Sequence, residues 1–450
     1  MSAIVVLVAP VRSCHPRLEA GFDRPNRRAQ TVAPPSESVQ LEFLGGAEEV
    51  GRSALSVDDS LLIDFGMKTA SPPQWPLKLR SIEPDAVVVS HGHLDHVGAL
   101  PTLLAGESRP PIHWTGPTHQ FARRLARDTL KLHGGTPQCP FTETEVHRLS
   151  EVSVEHEYGV SFQAAGYELT LFDAGHIPGS AHVLVDDGET RLLYTGDFHT
   201  GSQRLVDRST DRPAADVVVC ESTYSDVDHG ARPAVERRFA QTVRETIHEG
   251  GSVVVPAFAI GRTQELLMVC AAHDITCYVD GMGKGLSRML GGRSAFLADP
   301  DAYQEAIGRA RFVTGRDGQR RRIVRNNSVV VTTSGMLTGG PAMTYVPAIS
   351  GHPKNRILFS GYQVAGTPGR ELLDRGTAEI DGQLLTVAAR SDRFDFSAHA
   401  DRAGLLDYLA AYQDATVLVT HGDRCEAFAE ELLAEGYRAA APALGESMSV

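Results

Sequence analysis

The sequence predicts an α/β protein, and three observations carry that prediction. Short apolar runs such as "DAVVVS" and "SVVVPAF" have the length and valine content of buried strands. Amphipathic runs such as "HQFARRLARDTLKLH", "PAVERRFAQTVRETIHEG" and "RTQELLMVCAAH" repeat their apolar residues at helical spacing. The two kinds alternate along the chain, as strands and helices do in α/β folds.

Taken in order, the elements start late. The opening "MSAIVVLVAPV" is apolar but lacks a basic flank and is too short to span a bilayer, and no later stretch reaches the ~20 apolar residues a span needs. Residues 12–38 are rich in Arg, Pro and Gln without periodicity, so residues 1–38 read as a flexible tail and folding starts at Val39. "VQLEFLGG" and "SALSVDDSLLIDFG" then read as alternating or buried strands joined by "AEEVGR", with Asp64 and Phe65 closing the second. "DAVVVS" is a further buried strand. Each helical run that follows leads into another strand, among them "SVVVPAF" and "ITCYVD".

Composition bounds the class. At 450 residues and 42% hydrophobic content the chain fills one large domain or two ordinary ones, and its 43 Gly and 25 Pro are spread as turn punctuation without repeats. A net charge of −13 argues against a protein that coats nucleic acid or anionic membrane, while leaving room for a local basic groove. The 6 cysteines, at 14, 139, 220, 270, 277 and 425, form no C-x-x-C pair, so the expected setting is a reducing cytoplasm.

Chemistry enters with "VVVSHGHLDHVGALP". His91, His93, Asp95 and His96 follow a buried strand directly, at the carboxyl edge where α/β proteins bind ligands. Neutral imidazoles suit zinc and an adjacent carboxylate suits a second cation, so two metals are expected; a polar loop that happens to be His-rich is the alternative. Further ligands follow in order. "LTLFDAGHIPGSAH" supplies His176 and "TRLLYTGDFH" supplies Asp197, each behind a strand, with His182 and His199 read as supporting or packing residues.

This order of motifs resembles the metallo-β-lactamase superfamily, whose fold sandwiches two sheets between helices with the metals at one edge. Asp64 matches that superfamily's first-motif aspartate, which supports the ligand loop without binding metal. Beyond Asp197, "ADVVVCESTYSD", "GGSVVVPAFAIGRTQELL", "CYVDGMGK", "NNSVVVTTSGMLTGGPA", "RILFSGYQVAGTPGR", "FDFSAHAD" and "VLVTHGDR" resemble the β-CASP nucleases. Within them the resemblance is closest to the nuclease subunit of the cleavage and polyadenylation specificity factor and its prokaryotic relatives. It covers nearly the whole chain from Val39 to Val450.

The resemblance implies a metallo-β-lactamase αββα sandwich over 39–209, an inserted α/β β-CASP domain over 210–388, and a return to the first domain over 389–450. It assigns Glu221 to motif A, His399 to motif B and His421 to motif C. It further implies two Zn²⁺ ions, with His91, His93 and His176 on one, Asp95, His96 and His421 on the other, and Asp197 bridging. The implied reaction is attack of a metal-bridging hydroxide on the phosphorus of single-stranded RNA, endonucleolytic with 5′-exonucleolytic trimming as a second mode, in RNA 3′-end processing or decay. His399, oriented and kept charged by Glu221, is the expected general acid. On their own residues, Glu221 reads equally as a helix-start anion and His399 as a satisfied polar residue.

Substrate contacts are fainter. "GRDGQRRRIVRNN" gathers Arg316, Arg320, Arg321, Arg322 and Arg325, which reads as a phosphate-collecting patch or as a solvated basic loop. Arg262, in "FAIGRTQE", and Ser397, in "FSAHAD", are the other candidate substrate contacts. A DNA-directed β-CASP nuclease is the competing enzyme, and the histidine at motif C argues against it. A catalytically dead scaffold subunit would have lost ligands, and none is lost here. No KH-like G-x-x-G unit precedes Val39, and "HGD" at 421–423 replaces the more usual His-Gly-Glu. The expected partner is single-stranded RNA without a membrane, and a homodimer is left open.

Overall fold

A computed structural model describes residues 38–450 except 71 and 316, so the expected tail before Ser38, and Arg316, lie outside the described residues. Two seven-stranded sheets face each other. The first runs Ser447–Ser449, Gln40–Gly45, Ala54–Val57, Leu61–Ile63, Ala86–Val88, Ile112–Thr115, Ser153–His156. The second runs Arg438–Ala440, Thr416–Thr420, Val217–Glu221, Arg191–Tyr194, Ala181–Asp186, Tyr167–Asp173, Phe162–Ala164.

Side-chain alternation decides what each face touches. Leu61, Ile63 and Val88 point inward against Leu171, Val183, Val185 and Val219 of the second sheet. Leu62, Val87 and Val89 point outward beneath Ala122 and Ala126 of the helix Gly116–His133. On the second sheet Val218, Cys220, Val417 and Val419 face Tyr408 of the helix Arg402–Leu409 and Phe428 of the helix Cys425–Ala434. The result is an αββα sandwich. Because both faces of these strands are covered, their sequences read as continuous apolar runs.

The stretch "SALSVDDSLLIDFG" forms two strands, Ala54–Val57 and Leu61–Ile63, rather than a single one. Asp58 and Asp59 take φ of 48° and 55° and turn the chain back on itself, so the pair is an antiparallel hairpin closed without glycine.

A third sheet is wholly parallel, in the order Arg311–Phe312, Cys277–Asp280, Val329–Thr332, Val253–Pro256, Arg356–Phe359, Arg390–Arg393. Helices Arg232–His248 and Arg262–Ala272 cover one face, Ala342–Ile349 and Pro368–Arg375 the other. Arg390–Arg393 still pairs with Arg356–Phe359, so this sheet takes its last strand from beyond the boundary expected at 388. Its apolar core is continuous with the sandwich through Phe121 and Ile177. Ile177 directly follows His176.

Candidate metal centre

After Ala86–Val88 the chain bends at Ser90 and reaches His93, which is extended with φ −78° and ψ 156°, before it winds into the short helix Leu94–Val97. Asp95 and His96 therefore sit on a helical turn beyond His91 and the extended His93. Two neighbours hold that turn in place. Asp64, buried and at φ 58°, accepts from the Ser90 backbone N–H at 2.8 Å, the Ser90 hydroxyl at 2.7 Å and His96 Nδ1 at 2.7 Å. Gly66 lies under the turn, where a Cβ would come 1.6 Å from the Asp95 carbonyl oxygen. Gly66→Ala should displace the ligand turn and destabilise the fold by about 1–3 kcal/mol, the usual range for overpacking, and lower the bound metal with it. Calorimetry beside metal analysis checks this, and an unchanged melting temperature with full metal content would contradict it.

Seven donors converge from four chain segments: the stretch 91–96, and the positions of His176, Asp197 and His421. His91, His93, His176 and Asp197 form one group and Asp95, His96 and His421 a second, the ligand atoms within each lying within 4.8 Å of one another. In the first, His93 Nδ1 lies 3.2 Å from His91 Nε2 and 3.1 Å from His176 Nε2. Ligands about 2.0–2.1 Å from one tetrahedral ion lie about 3.3 Å apart, so this triangle has the size of a coordination edge. Asp197 stands between the groups: Oδ2 is 3.5 Å from His91 Nε2, while Oδ1 is 3.2 Å from His421 Nδ1 and 3.5 Å from His96 Nε2. His421 Nε2 is 3.5 Å from Asp95 Oδ2. The position after the strand Thr416–Thr420 bends sharply, with His421 at φ 49° and its N–H donating to the Gly46 carbonyl.

The electrostatics of the two groups differ. Burial pushes His91, His93 and His176 down, so their rings are neutral and carry lone pairs. The His176 Nδ1–H donates to the Ala398 carbonyl at 2.7 Å, which leaves Nε2 as the donor atom. Burial also opposes charge on His96 and His421, but Asp197 outweighs it, helped by Asp64 at His96 and Asp95 at His421, and both are raised. Asp197 and Asp95 are held low by the histidines around them, against their own burial. The second group thus demands positive charge. His96 Nε2, His421 Nε2 and Asp197 Oδ1 are buried without a hydrogen-bond partner among the described residues. Neutral imidazoles in one group, Asp95 with two histidines in the other, Asp197 between them and three orphaned polar atoms fit divalent cations.

Glu221 and His399 flank the centre. The Glu221 carboxylate accepts from the Phe198 N–H at 2.9 Å and lies 3.1 Å from His399 Nδ1; His399 Nε2 is 4.0 Å from Asp197. Burial lowers the His399 pKa, but Glu221 and Asp197 more than reverse this and raise it to about 9. The ring is then protonated at neutral pH and loses its proton as pH rises through its pKa. Glu221→Gln removes the largest raising influence, so the alkaline limb of the rate profile should move to lower pH. A pH–rate series on the two proteins tests this, and an unmoved limb would detach His399 from that limb.

Contacts made by chain return were beyond the sequence. Tyr224 stands with its ring centroid 5.7 Å from His399, Thr223 Oγ1 is 3.1 Å from His421 Nδ1, and Arg232 Nη2 donates to the Ser397 carbonyl at 2.5 Å. The first two lie in "ESTYSD" beside Glu221; Arg232 carries no local signal. Ser397 Oγ accepts from the His399 N–H at 3.2 Å. Arg262 is partly buried, donates to the Ser360 carbonyl at 2.7 Å, and is lowered to about 10 by desolvation and by Arg232. His182 spends both ring nitrogens on Thr195 and Ser209, and His199 Nδ1 donates to the His399 carbonyl, so both are supports. Arg320 is engaged by Asp280 and Asp317, while Arg321 and Arg322 are exposed on the helix Asp317–Ile323. That helix follows the sheet edge opposite Arg390–Arg393, and these arginines are not brought to the metal centre.

Comparison with known proteins gives three family matches: the metallo-beta-lactamase superfamily over residues 55–229, the Beta-Casp domain over 271–372, and a Zn-dependent metallo-hydrolase RNA specificity domain over 385–442. The chain is 35% identical over 397 residues to "RNase aCSPSF2" of Saccharolobus solfataricus, covering 85% of this chain and 79% of that protein. It is 29% identical over 428 residues to "Probable RNase MJ4" of Methanocaldococcus jannaschii, covering 92% and 100%. It is 31% identical over 438 residues to "Transcription termination factor FttA" of the same organism, covering 87% and 68%. A crystal structure of a protein of unknown function from Enterococcus faecalis superposes with a TM-score of 0.58 at 13% identity, over 92% of this chain and 100% of that one, which is a likeness of fold.

Proposed function

The chain belongs to the β-CASP branch of the metallo-β-lactamase superfamily, a family of metal-dependent hydrolases, and from that premise we propose that it is a zinc-dependent ribonuclease. It cleaves phosphodiester bonds of single-stranded RNA endonucleolytically, and from 5′ ends as a second mode, in RNA 3′-end processing or decay. The observation that carries this reading is the placement of a protonatable His399–Glu221 pair across from a two-group donor cluster with Asp197 between them. The named relatives and the match to an RNA specificity domain support RNA as the substrate. Among the described residues no helix is long and apolar enough to cross a membrane.

His91, His93, His176 and Asp197, with Asp95, His96 and His421, would hold two zinc ions. Such ions supply Lewis acidity toward a phosphate oxygen and a water activated near neutral pH. The chain's own residues do the rest. His399 delivers its proton to the leaving 3′-oxygen, and Glu221 keeps the ring charged and aimed. Asp64 fixes His96 through Nδ1, and Thr223 does the same for His421. Arg262, and Ser397 beside His399, meet the substrate phosphate.

End-labelled single-stranded RNA and DNA, incubated with the purified protein with and without chelator, test the reading. Because water is the nucleophile and the 2′-hydroxyl is not, products should carry 5′-phosphate and 3′-hydroxyl ends. A 2′-deoxy nucleotide at the cut should still be cleaved. A 2′,3′-cyclic phosphate, or cleavage that survives full metal removal, would overturn it.

A further inference from the structure

Phe258 and Tyr362 are 46% and 43% exposed, and no other Phe, Tyr or Trp is exposed to this degree among the described residues. Both follow neighbouring parallel strands of the third sheet, Val253–Pro256 and Arg356–Phe359, at the carboxyl edge where α/β proteins bind ligands. The two turns are tied together. The Ser360 hydroxyl donates to the Pro256 carbonyl at 3.0 Å, Arg262 Nη1 donates to the Ser360 carbonyl at 2.7 Å, and Thr263 Oγ1 donates to the Phe258 carbonyl at 2.6 Å.

The same edge abuts the metal centre. Gly261, at φ 73°, presses so closely on the residue after His176 that a Cβ would meet Ile177 Cγ2 at 2.5 Å. On the other side the Phe394 N–H donates to the Phe359 carbonyl at 2.9 Å, and five residues further on the chain reaches His399. The two rings therefore lie on the lip between the parallel sheet and the reacting centre.

What covers two exposed aromatic rings there is indicated by charge. Arg232, Arg262 and Arg393 make no ion pair among the described residues, although the chain carries a net charge of −13. Arg262 and Arg393 both bear electrostatically on Tyr224, which neighbours His399. Exposed planar rings on the same edge as guanidinium groups that lack a carboxylate partner suit a ligand that alternates planar bases with phosphates, whereas an apolar protein segment would leave that charge unmatched.

We propose that Phe258 and Tyr362 form a stacking subsite for an unpaired base of the RNA strand next to the scissile phosphate, with Arg262 and Arg393 facing that nucleotide's phosphates. The inference rests on the ribonucleolytic reading above and adds to it where the strand is held.

Binding of a short, phosphorothioate-linked single-stranded oligoribonucleotide to the metal-loaded protein, with an abasic ribose walked through each position, tests it. In the wild type one or two adjacent positions should each cost about 5- to 150-fold in affinity when the base is removed, the range for loss of base–aromatic stacking. Phe258→Ala combined with Tyr362→Ala should weaken the intact strand by a similar factor and abolish the abasic penalty at those positions, while Phe258→Trp and Tyr362→Trp retain it. A merely structural role would weaken intact and abasic strands alike, and an abasic penalty undiminished in the double variant would overturn the subsite. A wild type that cleaves RNA yet shows no position-dependent abasic penalty would overturn the subsite alone. A wild type that neither binds nor cleaves RNA would overturn the ribonucleolytic reading, and the subsite with it.

Discussion

Replacing His399 by alanine is expected to slow RNA cleavage by about 10²–10⁴-fold, the range usual for losing a general acid, while both metals stay bound. The geometry sets this expectation. His399 lies against Glu221 at 3.1 Å and reaches Asp197 only at 4.0 Å, outside the two donor groups that hold His91 and His421. The defect should shrink on a 3′-phosphorothiolate substrate, whose sulfur leaves without a proton. Metal analysis and rates on the two substrates decide it. Equal slowing on both, or metal lost from the His399 variant, would reassign this histidine from proton donor to ligand, a role its grouping with Asp197 and Glu221 also allows.

Asp197→Ala should do more. Its two oxygens serve both groups at once, and five histidines lie within 4.0 Å of it. Metal content should fall from about two zinc equivalents to less than one, and activity should fall beyond the ~10²–10⁴-fold cost of the missing proton donor. In metal-free protein the same change removes the buried counter-charge of His96 and His421, at about 3–5 kcal/mol of stability, which calorimetry after chelation would register. His421→Ala is the graded version: one equivalent should remain on His91, His93 and His176. Two equivalents retained by the Asp197 variant would remove the carboxylate from its place between the ions.

How much of this could be read from the chain depended on sequence distance. His91, His93, Asp95 and His96 sit within one strand end and one turn, so local spacing placed them. His176 and Asp197 each follow an apolar strand, so the strand ends pointed to them, whereas His421 was legible only through the resemblance to the β-CASP nucleases. The hairpin at Asp58 and Asp59 was harder, because its turn uses aspartates at positive φ where glycine is the usual signal. Arg232 and Tyr224 meet Ser397 and His399 only because the third sheet returns the chain to the first domain, and no periodicity encodes that. Conversely, the basic run at 320–325 was conspicuous as sequence, yet Arg320 is absorbed by Asp280 and its neighbours lie on a remote helix.

The strand Ser447–Ser449, which edges the first sheet beside Gln40–Gly45, bears on how the protein comes into being. Gln40 bonds to Ser449 across 409 positions of sequence, so on the ribosome the first strand must wait for all of that intervening chain before that neighbour exists. Four of the seven donors, on the loop from His91 to His96, emerge early, but Glu221, His399 and His421 are made far later, the last two beyond the entire inserted domain. A nascent chain can therefore present histidines to metal without yet owning the proton donor or His421, the last member of the second group. The site is therefore closed by the segment made after the inserted domain, which supplies both His399 and His421.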